Sequence, residues 1–472
     1  MSKSDIGVIG MAVMGQNLAR NIANHGFKTL VYNRTSQVTK DIIELHGSPT
    51  LNGAFCMKEF VENLNLPRKI IIMVKAGNPV DQVIDELIPL LNKGDLIIDA
   101  GNTYYKDTQS RKARLSNVGI NYMGCGVSGG EQGALNGPSI MPGGEKDDWE
   151  MVRPIFQAIA AKDFQNRPCV NYMGQDGAGH YVKMVHNGIE YGIMQMIAEV
   201  YEILKDLYDL GSGDIGKIFE EFNKGKLNSY LIEITGTVLQ RKDEYNNNYL
   251  VENILDTAGN KGTGKWTSIE ALERGVPTPT ITQAVFSRYA SSFKQIRVAN
   301  SKKIILGKGN NNLPDLNEFL SIVESSLYNG IIMSYAQGFH LISQASYQEK
   351  WDVNMGEISR IWQGGCIIRS KLLELLEKSF GEISNIDLNT FHIFQLEKIQ
   401  KTILENHYNS TEFYRIINKN NIYCPTLQSA VSYLKNMSEE YSNANIIQGQ
   451  RDYFGAHTYE RTDREGIFHT NR

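Results

Sequence analysis

The sequence predicts an α/β domain with a doubly wound parallel sheet, followed by a large all-helical domain and a C-terminal tail. Three observations support this fold class. Short apolar runs alternate with helical segments in the first third, long segments of 3.6-residue periodicity follow, and this periodicity fades after about residue 436. We therefore expect domains at residues 1–178 and 179–435, and a tail at 436–472.

Five strands are predicted in the first domain. They read IGVIG at 6–10, TLVYN at 29–33, KIIIMV at 69–74, DLIIDAG at 95–101 and NYMG at 121–124. Their apolar residues fall on both faces of each strand, which is typical of a parallel sheet covered by helices on both sides. The amphipathic segments 79–91 and 145–160 are expected to provide part of that cover.

The second domain begins with a long helical segment at 180–210. Within it a short pattern recurs 142 positions later, where His186-Asn187-Gly188-Ile189 with Gln195 matches Tyr328-Asn329-Gly330-Ile331 with Gln337. This repeat indicates a duplicated helical bundle. Only the first copy has ionisable groups at two further positions, because Lys183 and Glu190 correspond to Ser325 and Ile332.

Composition and charge exclude several classes of protein. The 472 residues include 48 Lys and Arg against 52 Asp and Glu, so the formal charge of −4 gives no overall attraction to nucleic acids or membranes. Five widely spaced cysteines without a CxxC pair favour reduced thiols over disulfides or structural zinc. Since the start has no leader pattern and no apolar run is long enough to span a membrane, we expect a soluble, cytoplasmic protein.

The turn after the first strand has the pattern GxAxxG, which reads Gly10-Met11-Ala12-Val13-Met14-Gly15. Gly10 would make the tight turn, Ala12 would let the backbone approach a pyrophosphate, and Gly15 would allow close packing of helix and strand. The amide groups at the start of the helix would face the phosphates. The pattern predicts a Rossmann-like dinucleotide site, and the alternative is a purely structural glycine turn.

The end of the second strand indicates which dinucleotide is bound. Asn33-Arg34-Thr35 offers no carboxylate where an NAD-binding fold places one on the ribose 2′-hydroxyl. A guanidinium and a hydroxyl suit a 2′-phosphate, so the sequence favours NADP over NAD and an NADP-binding domain at 1–178. The alternative is that Arg34 and Thr35 only begin the next helix, with Thr35 or Ser36 as its cap.

Further loops follow the C-terminal ends of strands, the edge where ligands bind in such sheets. Two of them are Val74-Lys75-Ala76-Gly77 and Asp99-Ala100-Gly101-Asn102. A third is predicted as a glycine-rich loop at 124–130, with a backbone suited to an anion such as a carboxylate. In the second domain, the segment 261–266 offers backbone amides beside a lysine, as in a phosphate site. Candidates to complete that site are Arg288, Arg451 and His457.

The first long helix carries the candidate catalytic pair. At about 100° per residue, Lys183, Asn187, Glu190 and Met194 lie on one face, with His186 and Tyr191 on its flanks. A buried lysine is accessible as a neutral base, and a buried carboxyl group with a raised pKa is accessible as an acid. The alternative for the pair is a buried structural ion pair.

The tail at 436–472 shows little amphipathic periodicity, which by itself is typical of a frayed terminus. Its aromatic residues are too apolar for a solvated tail and favour docking onto a surface; they are Tyr453, Phe454, Tyr459 and Phe468.

Six segments together resemble the family of decarboxylating 6-phosphogluconate dehydrogenases, and they span nearly the whole chain. They are GVIGMAVMGQNLARN (7–21), NRT (33–35), GVSGGEQGA (126–134), HYVKMVHNGIEYG (180–192), KGTGKWT (261–267) and RDYFGAHTYER (451–461). The resemblance implies oxidation of 6-phospho-D-gluconate by NADP+ to ribulose 5-phosphate, CO2 and NADPH, without a metal. This is a reaction of gluconate utilisation and of the oxidative branch of the pentose phosphate pathway.

The resemblance also implies residue roles. Lys183 would take the proton of the substrate 3-hydroxyl, and Glu190 would protonate the enediol formed by loss of CO2. The implied cofactor contacts, besides the GxAxxG turn, are Asn33, Arg34, Thr35, Val74, Lys75, Ala76 and Asn102. The implied substrate contacts are Asn102, Ser128, Gly129, Gly130, His186, Asn187, Tyr191, Lys261, Thr263, Arg288, Arg451 and His457. In a homodimer the tail would thread into the partner subunit, so Arg451 and His457 would act across the interface.

Two other functions are compatible with parts of this pattern. Another β-hydroxyacid dehydrogenase, such as one for 3-hydroxyisobutyrate, would share the nucleotide domain and the lysine but would need no phosphate clamp. A catalytically silent NADP-binding sensor would need neither Lys183 nor Glu190, so the presence of both argues against it.

Overall fold

The computed structural model describes residues 3–307, 309, 313–383 and 386–470. The other positions lie outside the described residues, including the first two of the predicted first domain and the last two of the predicted tail. Within the described part, a sheet with flanking helices precedes a large helical assembly, which confirms the predicted fold class.

The first domain is built on one sheet. Its strands are β1 (Ile6–Ile9), β2 (Thr29–Tyr32), β3 (Leu51–Gly53), β4 (Lys69–Ile72), β5 (Leu96–Asp99), β6 (Asn121–Ser128) and β7 (Ser139–Pro142). In the described chain they are arranged in the order β3-β2-β1-β4-β5-β6-β7, with parallel pairing from β3 to β6 and an antiparallel β7. The strand order reverses between β1 and β4, so the loops that follow these two strands border a crevice at the carboxyl edge.

Helices cover both faces of this sheet. They are α1 (Val13–Asn24), α2 (Ser36–His46), α3 (Met57–Glu62), α4 (Asn78–Leu87), α5 (Tyr105–Ser116), α6 (Gly130–Asn136) and α7 (Lys146–Ile159), with a 3-10 turn at Ile88–Leu90. Successive residues of β4 point to opposite faces, because Ile71 belongs to one hydrophobic cluster while Ile70 and Ile72 belong to another. The amphipathic segments predicted at 79–91 and 145–160 are confirmed as α4 with its 3-10 turn and α7.

All five predicted strands are present, but the sequence analysis does not predict β3 and β7. The predicted loop at 124–130 is wrong over most of its length, because β6 continues to Ser128 and only Gly129 and Gly130 form a turn. The glycines of β6 serve close packing. A Cβ atom at Gly126 would lie 2.4 Å from the Cβ of Lys183, so a larger residue would push the next long helix away from the sheet.

The second part of the chain is helical, as predicted. Its helices are α8 (Ala178–Tyr208), α9 (Ser212–Phe222), α10 (Tyr230–Gln240), α11 (Leu250–Asn253), α12 (Thr263–Glu273), α13 (Pro279–Ser292), α14 (Lys294–Ser301), α15 (Leu316–Glu349), α16 (Met355–Ile361), α17 (Lys371–Phe380), α18 (Glu397–Lys419) and α19 (Pro425–Asn436), with a 3-10 turn at Ile393–Gln395. The two copies of the sequence repeat lie on α8 and α15, which pack against each other. Their approach is close, since a Cβ at Gly338 would lie 2.5 Å from Cδ1 of Ile189.

The tail is more ordered than its weak periodicity indicates. It forms α20 (Ala444–Gly455) and a small antiparallel hairpin of β8 (Tyr459–Glu460) and β9 (Ile467–Phe468). Asp452 ties these parts together by accepting hydrogen bonds from the backbone N–H groups of Thr458 and Thr470. The side chains of Ile446 and Phe454 are 65% and 70% exposed in the single chain. Docking of this tail stays a prediction.

Two further features bear on the class of protein. No helix in the described ranges combines the length and the apolar character that a membrane crossing requires. The five cysteines are free thiols, of which Cys56 is exposed and the other four are buried.

Candidate functional site

Helix α8 starts in direct contact with the sheet. A Cβ atom at Gly179 would lie 2.3 Å from the carbonyl oxygen of Met141 and 2.5 Å from that of Gly124. These glycines remove the side chains that would separate helix and sheet. The close approach brings the first turns of α8, including Lys183, against the end of β6.

Lys183 is buried at the centre of a polar row. Its Nζ donates a hydrogen bond to Oγ of Ser128 at 3.0 Å and to Oδ1 of Asn187 at 2.8 Å. The amide of Asn187 in turn donates to Oγ1 of Thr263 at 3.2 Å. Nδ1 of His186 lies 3.4 Å from Nζ of Lys183. The structure thus brings together five of the predicted site residues from β6, α8 and α12.

Glu190 lies at the end of this row without pairing with the lysine. Its Oε2 is 4.0 Å from Nδ1 of His186, while Lys183 is held by neutral hydrogen-bond acceptors. Among the described ion pairs none joins Lys183 to Glu190, so the alternative of a structural ion pair is wrong. The two groups are separate and available for chemistry.

Burial shifts the pKa values of all three ionisable groups. It lowers the pKa of Lys183, against the opposing effect of Glu190, and it raises the pKa of Glu190, against Lys183 and Arg288. Burial and the nearby Lys183 hold the pKa of His186 well below its ordinary value, so this imidazole is neutral at neutral pH. The shifts favour a neutral amine and a protonated carboxyl group, which are the forms needed for a general base and a general acid.

A second group of predicted residues meets at the start of α12. The guanidinium of Arg288 lies 3.4 Å from the ring centroid of Tyr191, and its Nη1 donates to the carbonyl of Gly259 at 3.3 Å. Gly262 precedes α12 with φ of +94° and allows the turn into Thr263. Lys261 is exposed just before this turn. The cluster places positive charge beside the open amides of a helix N-terminus.

The glycine turn after β1 has the predicted form. Gly10 has φ of +97°, and a Cβ there would lie 2.5 Å from the carbonyl oxygen of Met73. A Cβ at Gly15 would lie 1.8 Å from the carbonyl oxygen of Gly10, so only glycine fits. Ala12 is the N-cap of α1 and provides no capping hydrogen bond. The amides of Val13 and Met14 therefore begin the helix without a side-chain acceptor.

The end of β2 lies directly beside this turn. The backbone N–H of Met11 donates to Oδ1 of Asn33 at 3.1 Å, and the backbone N–H of Asn33 donates to Thr39. Thr35 occupies the N-cap position of α2, as the alternative in the sequence analysis requires, but its side chain makes no capping bond. Arg34 is exposed and has no ion pair with a carboxylate of the described chain. Both side chains remain available to a ligand.

The loop after β5 is fixed by Asp99, which the sequence analysis names only as the first residue of that loop. Asp99 is fully buried and accepts hydrogen bonds from the backbone of Gly101 and from the hydroxyls of Thr103 and Tyr122. Its bonds fix the loop on which Asn102 is exposed. A carboxylate at the end of the apolar run LIID is the signal that could have identified it.

The same crevice contains the loop after β4. A Cβ at Gly101 would lie 3.2 Å from the carbonyl oxygen of Val74, so the two loops touch. Lys75 and Ala76 continue this loop, with Lys75 exposed. The predicted cofactor residues therefore line one continuous edge of the sheet.

The turn after β6 depends on a second element that sequence reasoning missed. Gly129 has φ of +118°, and a Cβ there would lie 2.7 Å from the carbonyl oxygen of Gly365. Gly130 has φ of +62° with nothing near its missing Cβ, so this side of the turn is open. The turn follows Ser128 immediately and lies beside the Lys183 row.

Two predicted site residues, Arg451 and His457, do not contact the Lys183 row in the single chain. Arg451 on α20 donates to Oε1 of Gln448, and the ring of His457 packs edge-on against Phe454. Both partners belong to the tail. No hydrogen bond of Arg451 or His457 in the described chain reaches α8.

Comparison with known proteins identifies the family. The family model "NAD binding domain of 6-phosphogluconate dehydrogenase" matches residues 5–174, and "6-phosphogluconate dehydrogenase, C-terminal domain" matches residues 179–472. The chain belongs to the 6-phosphogluconate dehydrogenase family. This confirms the resemblance found in the sequence.

Relatives in this family match along their full length. The chain is 48% identical to the decarboxylating 6-phosphogluconate dehydrogenase of Lactococcus lactis, covering 99% of this chain and 98% of the relative. It is 47% identical to the NADP(+)-dependent, decarboxylating enzyme of Bacillus subtilis, covering 100% and 99%. The solved structure of Plasmodium falciparum 6-phosphogluconate dehydrogenase has a TM-score of 0.94 at 41% identity, covering 99% of both chains. That protein is described in complex with its cofactor NADP+ and with its substrate 6-phosphogluconate.

Proposed function

We propose that this protein oxidises and decarboxylates 6-phospho-D-gluconate with NADP+ and releases ribulose 5-phosphate, CO2 and NADPH. The observation that carries the proposal is the buried row of Ser128, Lys183 and Asn187 with Glu190 beside it, in a member of this family. The relatives described above are named as decarboxylating 6-phosphogluconate dehydrogenases, which agrees with this reaction. The enzyme would belong to the oxidative branch of the pentose phosphate pathway.

The residues around the crevice fit NADP. The turn from Gly10 to Gly15 and the uncapped start of α1 suit the pyrophosphate, because backbone amides there have no side-chain acceptor. Asn33, Arg34 and Thr35 suit the 2′-phosphate, and an exposed guanidinium can bind it bidentately. Val74, Lys75, Ala76 and Asn102 would contact the remainder. When bound, NADP+ supplies the acceptor for a hydride.

Lys183 would act as the base in the oxidation step. Its neutral amine takes the proton of the substrate 3-hydroxyl while the hydrogen on C3 leaves as hydride, which converts C3 to a ketone. The ammonium formed on Lys183 is stabilised by its hydrogen bonds to Ser128 and Asn187. It then donates a hydrogen bond to the new ketone oxygen.

Decarboxylation and protonation would follow on the same face. The polarised ketone accepts the electron pair of the breaking bond to the carboxyl carbon, so CO2 leaves and an enediol forms. Lys183 gives its proton to the oxygen on C3, which completes the enediol. In the last step Glu190 protonates the carbon that becomes C1, while the neutral amine of Lys183 takes back the hydroxyl proton on C3, so that the ketone of ribulose 5-phosphate forms. Two separate groups are needed because one proton moves at oxygen and another at carbon.

The substrate would extend from β6 to the start of α12. Ser128, Gly129 and Gly130 would bind its carboxylate end, and His186, Asn187 and Asn102 its hydroxyl groups. The phosphate would be bound by residues that supply positive charge or hydroxyl groups, namely Tyr191, Lys261, Thr263, Arg288 and Arg451, with His457 near the sugar chain. The contact between Arg288 and Tyr191 supports this assignment.

We further propose a cytoplasmic homodimer with exchanged tails. An NADP-binding domain at 1–178 and a helical substrate domain at 179–435 would form each subunit, and the tail at 436–472 would enter the partner. The exposed apolar side chains of α20 support this, because Ile446 and Phe454 would be covered there. The exchange would bring Arg451 and His457 to the partner's site.

The proposal is tested by assaying the purified protein with NADP+ and 6-phosphogluconate. NADPH formation is followed by absorbance, and CO2 release is measured in the same sample; we expect equal amounts of both. Unphosphorylated gluconate and 3-hydroxyisobutyrate serve as comparison substrates. Equal turnover of gluconate would reject the phosphate clamp, and absence of NADPH with every hydroxy acid would favour the silent sensor.

A further inference from the structure

A buried carboxylate on α12 contacts the sheet domain at the start of α5. Oε1 of Glu270 accepts a hydrogen bond from the hydroxyl of Tyr104 at 2.5 Å, and Oε2 accepts one from the hydroxyl of Tyr105 at 2.8 Å. Nζ of Lys106 lies 3.2 Å from Oε1, and Nε of Arg274 lies 3.3 Å from Oε2. Glu270 itself is 1% exposed. Both oxygens of the Glu270 carboxylate therefore accept hydrogen bonds across the boundary between the two parts of the chain.

On the sheet side, Glu270 holds the end of the loop that carries Asn102. Tyr104 follows Asn102 by two positions, and the start of the same loop is fixed by Asp99. The ring of Tyr104 also packs against Trp266 of α12, with 5.3 Å between ring centroids. A shift of α12 must therefore move this loop.

On the helical side, α12 reaches the Lys183 row. Thr263 lies seven positions before Glu270, about two helical turns, and thus on the same face of α12. Its hydroxyl accepts the hydrogen bond of Asn187, whose Oδ1 accepts that of Lys183. One helix thus connects the loop of Asn102 with the amine of Lys183 through direct contacts.

The charge on Glu270 is what allows it to hold both tyrosines. Burial opposes the charged form, but hydrogen bonds from Tyr104, Tyr105 and Lys106 outweigh this effect, and the pKa of Glu270 lies below its ordinary value. An ionised carboxylate accepts hydrogen bonds at both oxygens, whereas the nitrogen of an amide only donates. A glutamine at this position keeps the shape and loses one acceptor.

We propose that Glu270 is a positioning residue that sets the distance between the cofactor loop at 99–105 and the catalytic amine of Lys183. The inference rests on the proposed function, since the distance matters for transfer of hydride from substrate to cofactor. Rigid placement of the two reactants lowers the barrier without further contacts to the reacting atoms. Glu270 therefore acts on catalysis through Tyr104 and α12.

The test uses Glu270→Gln and Tyr104→Phe in the full-length protein, with Glu273→Gln as a matched control. Glu273 lies on the same helix and is exposed. We expect kcat of Glu270→Gln to fall by roughly ten-fold, which corresponds to one charge-assisted hydrogen bond. KM for each substrate should change less than two-fold, and Glu273→Gln should retain wild-type kcat. Tyr104→Phe should lower kcat similarly, and the double variant should be no slower than Glu270→Gln.

The outcomes separate this inference from the proposed function and from a role in folding. If the wild-type protein is active and the folded Glu270→Gln variant has an unchanged kcat, only the positioning role of Glu270 is refuted, and the proposed function stands. Inactive wild type refutes the proposed function and this inference with it. If Glu270→Gln does not fold, the Tyr104→Phe variant is the test, because it removes only one hydroxyl group. A wild-type kcat in Tyr104→Phe would then overturn the proposal. A lower melting temperature with unchanged kcat would show a purely structural role.

Discussion

Replacement of Lys183 by methionine separates catalysis from stability. The amine of Lys183 is buried against neutral acceptors on Ser128 and Asn187 and makes no ion pair with Glu190. Methionine has similar length and no charge. We therefore expect Lys183→Met to lose turnover while the fold becomes no less stable.

The magnitudes follow from these contacts. Loss of two hydrogen bonds removes about 1 kcal/mol each from the free energy of unfolding. Folding takes this amine out of water without a contacting carboxylate, at the cost of its hydration or of its proton, and removing that cost contributes about several kcal/mol in the opposite direction. The net result is a variant more stable by roughly 1–3 kcal/mol. Loss of general base catalysis lowers kcat by at least ~10², equivalent to about 2.7 kcal/mol of activation free energy.

Three measurements check this prediction. Thermal unfolding gives the stability, and NADPH formation with 6-phosphogluconate gives kcat, while fluorescence titration confirms that NADP still binds. Lys226→Met is the control, because Nζ of Lys226 also donates to neutral acceptors, Ser325 and Asn406, but lies outside the row. It should retain wild-type kcat. A melting temperature of Lys183→Met well below wild type would show a structural lysine, and more than a tenth of wild-type turnover would refute its role as base.

Three further predictions concern the cofactor, the pH profile and the tail. Arg34→Ala should raise KM for NADP at least ~10-fold through loss of a charge-assisted bond to phosphate, and leave KM for NAD unchanged; an equal effect on both would reject the 2′-phosphate contact. The profile of kcat/KM against pH should be bell-shaped, falling at low pH as Lys183 gains a proton and at high pH as Glu190 loses one. Because burial lowers the pKa of Lys183 and raises the pKa of Glu190, the midpoints of both limbs should lie between the ordinary pKa values of glutamate and lysine. A midpoint at either ordinary value would contradict the assignment. Deletion of 445–472 should abolish saturation by 6-phosphogluconate but leave NADP affinity within two-fold, and an unchanged KM would place the tail outside the site.

Features set by local sequence were predictable. The turn at Gly10 follows a short apolar strand, and its backbone geometry depends on neighbours in the chain. The order of Lys183, Asn187 and Glu190 on one face of α8 follows from helical periodicity alone. In both cases the spacing along the sequence fixes the relative positions in space.

Features that depend on distant contacts were not predictable. Glycines in β6 indicate a loop by composition, yet Gly126 is part of a strand, because it pairs with Met141 of β7. Glu270 meets Tyr105 across 165 positions, and nothing near either residue in the sequence indicates that contact. Asp99 is recognisable as unusual within an apolar run, but two of its four hydrogen-bond donors, Arg111 and Tyr122, lie on other elements.

The glycines between β6 and α8 and the proposed chemistry of Lys183 are linked by one physical requirement. A low pKa of the amine requires burial, and burial requires that α8 lie directly on the sheet. That approach is possible only because position 126 has no Cβ, which would otherwise meet the Cβ of Lys183 at 2.4 Å. Gly126, which the sequence analysis includes in an anion-binding loop, would therefore act on the proposed catalysis in another way, through the depth at which Lys183 is buried.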